Sequence, residues 1–102
     1  MSEGVTITID MVIKPEFAEQ VTAGIPAMFA DTRRFEGFRE IRVVRHRDQP
    51  NRLKVIERWD SEAHYQVYID WRTRKGDMDA AAPTLLSITT DVWPVLIGSA
   101  AP

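Results

Sequence analysis

Between Trp59 and Arg72 the chain places Trp59, His64, Tyr65, Tyr68, Trp71 and Arg72, including two of its three tryptophans and both of its tyrosines. Rings, phenols, an imidazole and a guanidinium gathered this closely serve either a bulky core or a pocket for a flat organic molecule. The second use has a definite chemistry. It needs a dry, apolar cleft sized for aromatic rings. A base or acceptor must turn an electron-rich phenol into its anion, and donors must stabilise the negative charge that develops. With no cysteine, only two histidines and no glycine-rich phosphate loop, no metal, flavin or haem is expected. Helical spacing supplies candidates: His64, Tyr68 and Trp71 recur at i, i+4 and i+7, and Tyr65, Tyr68 and Arg72 form a neighbouring stripe. His64 falls in the first turn, where the positive helix end favours the neutral imidazole of a base.

Each residue also has a structural reading. Trp59 can anchor a core, with its indole N–H seeking a partner. The tyrosines can pack with their hydroxyls at the surface, and His64 can be an ordinary first-turn residue. Trp71 can pack on a following helix or cover a pocket mouth. Glu57 shares a strand face with Leu53, Val55 and Trp59. If that face is buried, Glu57 needs an arginine such as Arg39 or Arg45, and it is read as structural. His46, at the end of a hairpin, is expected in solvent.

The elements that must position these groups follow from periodicity. "VTITIDMVI" alternates strictly, with Val5, Ile7, Ile9, Met11 and Ile13 on one face, and reads as a strand. Pro15 opens a helix whose stripe runs Phe17, Val21, Ile25, Met28, Phe29 and Thr32. Pro26 lies inside that helix and should kink it, with Gly24 adding looseness. The bend opens space that Ile25 and Phe29 are expected to line. "FREIRVVRH" and "RLKVIERW" form a hairpin across the turn "RDQPN". Asp60 or Ser61 can cap the next helix, Glu62 suits its positive end, and Gly76 can end it. Asp77 is expected to cap a short helix stopped at Pro83. "LSITTDVWPVLI" is the last strand, ended near Pro94 as suits an edge.

The order β-α-β-β-α-β is that of a ferredoxin-like α+β fold, with a four-stranded antiparallel sheet and helices on one side. Strands carry apolar residues on both faces (Val12 and Ile13, Val43 and Val44, Val55 and Ile56). An apolar second face calls for a second sheet, hence a homodimer.

Composition sets the outer bounds. The 102 residues are read as one domain, 1–102. There is no cysteine, which excludes disulfides, thiolate metal sites and a thiol nucleophile. A net charge of -2 gives no general attraction for nucleic acid. Locally, Arg33, Arg34, Arg39, Arg42, Arg45, Arg47, Arg52, Lys54 and Arg58 outnumber Glu36, Glu40, Asp48 and Glu57. That excess reads as a solvated hairpin or an attraction for anionic ligands. No leader is evident, apolar runs are too short to span a membrane, and a cytoplasmic setting is expected.

The run "FEGFREIRVVRHRDQPNRLKVIERWDSEAHYQVY" resembles the antibiotic biosynthesis monooxygenase superfamily of dimeric α+β barrels. The likeness rests on Gly37 after the first helix, the turn "DQP" at Asp48–Pro50, and a third strand ending Glu-x-Trp before a small polar residue and a helix. It extends over Val5 to Leu96. The resemblance implies a homodimeric, cofactor-free monooxygenase acting on a hydroquinone, polyphenol or anthrone-like substrate. Trp59 and Tyr65 match the tryptophan and tyrosine of the polyphenol oxygenases by position. With His64 they make the expected catalytic set, and Tyr68, Trp71, Arg72, Phe29 and Ile25 the expected substrate contacts. Those oxygenases also resemble one another in an asparagine that strand three lacks here; the single Asn51 lies in the hairpin turn. Haem-degrading members carry an asparagine on strand one, where this chain has Thr6, Thr8 and Asp10, so haem is not expected.

Two other readings share the pattern. RNA-recognition modules stack bases on aromatics of strands one and three, but "VTITIDM" has none and "RLKVIERW" only its last residue. A non-catalytic dimer binding a hydrophobic small molecule is the alternative. It should present rings alone to its pocket, whereas an enzyme should aim His64, a tyrosine hydroxyl or Arg72 into it.

Overall fold

A computed structural model describes residues 4–102. The strands are β1 (Val5–Ile13), β2 (Phe38–Arg45), β3 (Arg52–Trp59) and β4 (Leu85–Trp93). The helices are α1 (Ala18–Ala23), α2 (Ile25–Thr32), α3 (Glu62–Lys75) and α4 (Asp77–Ala81). Short 3₁₀ turns at Pro15–Phe17 and Ala82–Thr84 join them to the sheet. The sheet order is β2-β3-β1-β4, antiparallel throughout, as the ferredoxin-like pattern requires.

Register sorts the side chains. Ile7 of β1 faces Glu57 of β3, Ile9 faces Val55 and Met11 faces Leu53. Residues paired across an antiparallel ladder share a face. These therefore lie with Ile41 and Val43 of β2 on the side packed by helices. On β3 every second residue (Leu53, Val55, Glu57, Trp59) is buried. β4 is an edge strand ending before Pro94, as expected. Ile88 and Val92, whose register puts them on the helix side, remain 51% and 38% exposed, so the helical layer stops short of β4.

The opposite face departs from expectation. Val12, Val44, Ile56 and Trp93 do stand on it, but among Thr6, Thr8, Asp10, Arg42, Arg52, Lys54, Arg58 and Asp91. Asp10 lies 3.5 Å from both Arg52 and Lys54, and the Trp93 indole donates to Thr8 Oγ1 at 2.8 Å. The face is mixed, not apolar. Strand alternation explains this: Val55 and Ile56 are neighbours in sequence but belong to different surroundings.

The first helix is also different from its expected form. Instead of one helix kinked at Pro26, two helices meet at Gly24, whose N–H closes α1 on Gln20 and Val21. Pro26 occupies the first turn of α2, where a missing N–H leaves no intrahelical bond unmade. α3 starts as expected: the Ser61 hydroxyl accepts from the His64 N–H at 3.1 Å. It ends at Gly76, whose φ of 90° is the left-handed cap that glycine favours. Asp77 caps nothing with its side chain; Gly76 is the capping position of α4, which leaves the Asp77 carboxylate available for Arg72. Asn51 fastens the hairpin end to β1. Its side-chain amide donates to the Ile13 carbonyl at 2.7 Å, and its carbonyl accepts from the Ile13 N–H at 2.8 Å.

Candidate functional site

The aromatic segment builds chiefly the core. Trp59 is fully buried, with ring centroids 5.6 Å from Phe38, 6.1 Å from Tyr65 and 5.1 Å from Tyr68. Phe35 stands edge-on to Tyr68 at 5.2 Å and leans on Trp71 at 5.1 Å. Trp71 thus packs on Phe35, with Arg72 and Lys75 over its ring.

Beside this core a cavity of about 440 Å³ opens between sheet and helices. Its walls are apolar: Ile9 and Val55 from the sheet, Ile25 and Met28 from α2, Ile69 from α3, Leu85 from β4. Three buried polar residues reach it, Glu57, Tyr68 and Arg72. Exposed Gln20, Gly24, Ala80 and Ile88 mark its solvent side. Gly24 at the α1–α2 break and the exposed Ile88 of β4 both border this space.

Tyr68 and Arg72 belong to one hydrogen-bonded chain. Arg72 Nε donates to the Tyr68 hydroxyl at 2.8 Å. Thr32 Oγ1 donates to the Met28 carbonyl at 2.8 Å. Its only hydrogen is thereby used, so the 2.9 Å contact between Tyr68 and Thr32 runs from phenol to threonine. Arg72 is further held by Asp77 at 2.7 Å, by Met28 O at 3.2 Å and by Thr32 at 3.3 Å. Asp31 lies 3.7 Å from Arg72 and, like Asp77, also faces Lys75. Arg72 is therefore a fixed positive charge rather than a mobile donor. Burial alone would lower its pKa, but the bonds to Tyr68 and Asp77 outweigh that and raise it. Burial pushes the Tyr68 phenol up despite its bonds to Thr32 and Arg72. It pushes Tyr65 up as well, with Glu57 and Tyr68 adding to the effect. Both phenols are neutral at physiological pH.

Glu57 is the residue whose setting sequence reasoning missed. It is 2% exposed, and its hydrogen-bond partner is Trp59 rather than the expected Arg39 or Arg45. Arg39 instead reaches Asp60 at 2.6 Å. Glu57 Oε1 accepts from the Trp59 indole at 2.9 Å, and the positive charge that acts on it is Arg72. Burial raises its pKa above the ordinary carboxylate value, and the Trp59 bond and Arg72 only partly offset this. The signal was present in the sequence: residues two apart on a strand share a face, so a buried Glu57 finds the Trp59 N–H beside it.

Of the expected site residues, Ile25, Tyr68 and Arg72 line the cavity. Trp59 and Tyr65 lie in the aromatic core next to Tyr68. His64 sits at the α3 cap, its Nδ1 2.7 Å from Ser61 Oγ and its ring against the Cα of Gly37. Phe29 is half-buried on α2 and, with His64 and Trp71, is not among the cavity's lining residues. Among the described residues no three His, Cys, Asp or Glu side chains converge as a metal site would require.

The defining pattern of the antibiotic biosynthesis monooxygenase family matches residues 4–75. The chain belongs to that family. Family membership fits the glycine at 37, the Glu57-x-Trp59 strand end and the α3 start already described. A candidate antibiotic biosynthesis monooxygenase from Deinococcus radiodurans superposes with a TM-score of 0.81 at 16% identity, over 96% of both chains. A Pseudomonas aeruginosa protein gives 0.78 at 20% identity, over 94% of this chain and 97% of its own. A conserved Methanosarcina mazei protein gives 0.79 at 16%, over 88% and 90%. At these identities the likeness is one of fold. No protein of curated function matches the chain. No helix among the described residues is long and apolar enough to cross a membrane.

Proposed function

We propose that this family member is a cofactor-free monooxygenase whose substrate is an electron-rich aromatic of the hydroquinone, polyphenol or anthrone type. The observation that carries the reading is the apolar cavity into which Glu57, Tyr68 and Arg72 converge. A pocket that merely stored a hydrophobic molecule needs rings and aliphatic walls; burying an arginine and a glutamate side chain in its lining is costly without a polar task. The flat substrate slides between the sheet side chains Ile9 and Val55 and the α2 side chains Ile25 and Met28. The Arg72 charge stabilises its anion. For an anthrone-like methylene the balance is R₂CH₂ + O₂ → R₂C=O + H₂O. All electrons come from the substrate, one oxygen atom enters the product and the other leaves as water. Trp59 and Tyr65 serve this reading by holding Tyr68 in place.

The active form is proposed to be a homodimer through the outer sheet face. Exposed Val44 and Trp93 support a partner there, and the Arg52–Asp10–Lys54 group would lie at the contact.

The test is oxygen uptake by the pure protein, without added cofactor, on a panel of hydroquinones and anthrones. Turnover that disappears in Arg72→Met supports the reading. Absence of uptake across the panel, together with tight binding of an aromatic recovered unchanged, establishes the non-catalytic alternative.

A further inference from the structure

We propose that Glu57 is the base of this cavity: its free carboxylate oxygen takes the hydroxyl proton of a phenolic substrate, while the Trp59 indole holds the other oxygen in place. The inference rests on the cavity being a site for an aromatic hydroxyl compound.

Among the described residues, the ionisable ones that line the cavity are Glu57, Tyr68, Arg72 and Asp77. Tyr68 has its hydrogen committed to Thr32 and its oxygen to Arg72, and its phenol is pushed up, so it takes no proton. Arg72 is a cation. Asp77 is bound by Arg72 at 2.7 Å and faces Lys75. Glu57 remains, and among the described residues only one of its oxygens is engaged, by Trp59. Around it, β1 and β2 present Ile7 and Ile41 in register, and α3 presents Tyr65, Tyr68 and Arg72. The α2 and α1 residues at the cavity (Met28, Ile25, Val21, Gln20) carry no titratable group. Burial raises the carboxyl towards the range where a base returns its proton easily. A carboxylate this buried is a stronger proton acceptor than one in water, because burial disfavours its charged form, and the transfer moves that charge onto the phenolate.

The step balances simply. The phenol O–H bond breaks, an O–H bond forms on Glu57, and the electron pair stays on the phenolate oxygen, near the Arg72 charge. No oxidant takes part. Trp59 is a positioning residue: its N–H fixes one carboxylate oxygen and so directs the other.

The experiment uses 4-nitrophenol, whose phenolate is yellow and whose phenol is not, at a pH below the probe's own transition. Bound to the wild-type protein it is expected to show phenolate absorption. With Glu57→Gln, whose amide oxygen still accepts from Trp59, the bound phenolate-to-phenol ratio should fall about tenfold or more, the equivalent of one pKa unit. Glu57→Asp keeps a carboxylate but withdraws it by one methylene, and should give an intermediate ratio. It stands in if the glutamine variant does not fold. A probe that binds as phenol to the wild type, or as phenolate equally to Glu57→Gln, overturns the assignment while leaving the aromatic site intact. A probe that does not bind overturns the site and the base together. Phenolate formation in a protein that never consumes oxygen upholds Glu57 and refutes the oxygenase reading alone.

Discussion

The Tyr68 hydroxyl donates to Thr32 Oγ1 at 2.9 Å and accepts from Arg72 Nε at 2.8 Å, so one phenol ties α3 to α2. Thr32 is fully buried and Tyr68 nearly so. Tyr68→Phe keeps the ring but leaves buried Arg72 Nε without its acceptor. The expected loss is about 1–3 kcal/mol, read as a lower urea midpoint at unchanged slope.

The pH dependence of stability should reveal Glu57. Its folded pKa is raised above the ordinary carboxyl value by burial, so between the two values the folded state holds the proton more often than the unfolded state. Its contribution is therefore fully present below the ordinary carboxyl range and lost as pH rises through the raised value. Glu57→Gln lacks this term. The wild type minus Glu57→Gln stability difference should fall as pH rises through that window, then level off. A difference that rises over the same window contradicts the burial argument.

Trp59→Phe removes the indole donor while keeping a ring. The bond from Trp59 lowers the Glu57 pKa, so its loss should raise that pKa further, followed by carbon-13 NMR of the labelled carboxyl. Large-to-smaller replacement in the core should also cost about 1–3 kcal/mol. Turnover, if the protein is an oxygenase, should drop more than stability does.

Gly37 is tightly constrained. Its φ is 84°, a Cβ there would run into the His64 imidazole, and its carbonyl accepts from the Asp60 N–H at 2.7 Å. Gly37→Ala should destabilise the β2–α3 junction by about 1–2 kcal/mol from conformation alone, and further because His64 must move. Adding His64→Ala should return part of the loss in a double-mutant cycle.

Assembly is tested by sedimentation at micromolar concentration. A dimer that Val44→Lys and Trp93→Lys convert to monomer matches the proposed sheet-face contact. A dimer untouched by both substitutions places the interface elsewhere.

The sheet and α3 were legible in the sequence because their signals are local. β1 and β3 alternate, Ser61 and Gly76 cap α3, and Pro94 stops β4. The broken first helix was not, since Ile25, Met28 and Phe29 keep the same stripe whether Pro26 bends one helix or starts another. The outer sheet face misled because neighbouring valines and isoleucines point in opposite directions, and the charges between them decide its character. The site was legible only in part. Helical spacing found Tyr68 and Arg72, and the kink argument found Ile25. Trp59 and Tyr65, placed by resemblance, stand behind the cavity wall. Glu57 looked structural because alternation says that a residue is buried but not what will face it.

The sheet order has a consequence for how the chain is made. Of the four strands described, β1 leaves the ribosome first, yet it lies between β3 and β4. One edge can pair once Arg52–Trp59 exists, but the other waits for Leu85–Trp93. Until then a strand rich in isoleucine and valine carries an open edge, the kind of surface that nascent chains join through. The β2–β3 hairpin, closed over a few residues, can form early and shield the first edge. The second is protected only when synthesis reaches the end of β4, so this interval is where chaperone dependence and misassembly should concentrate.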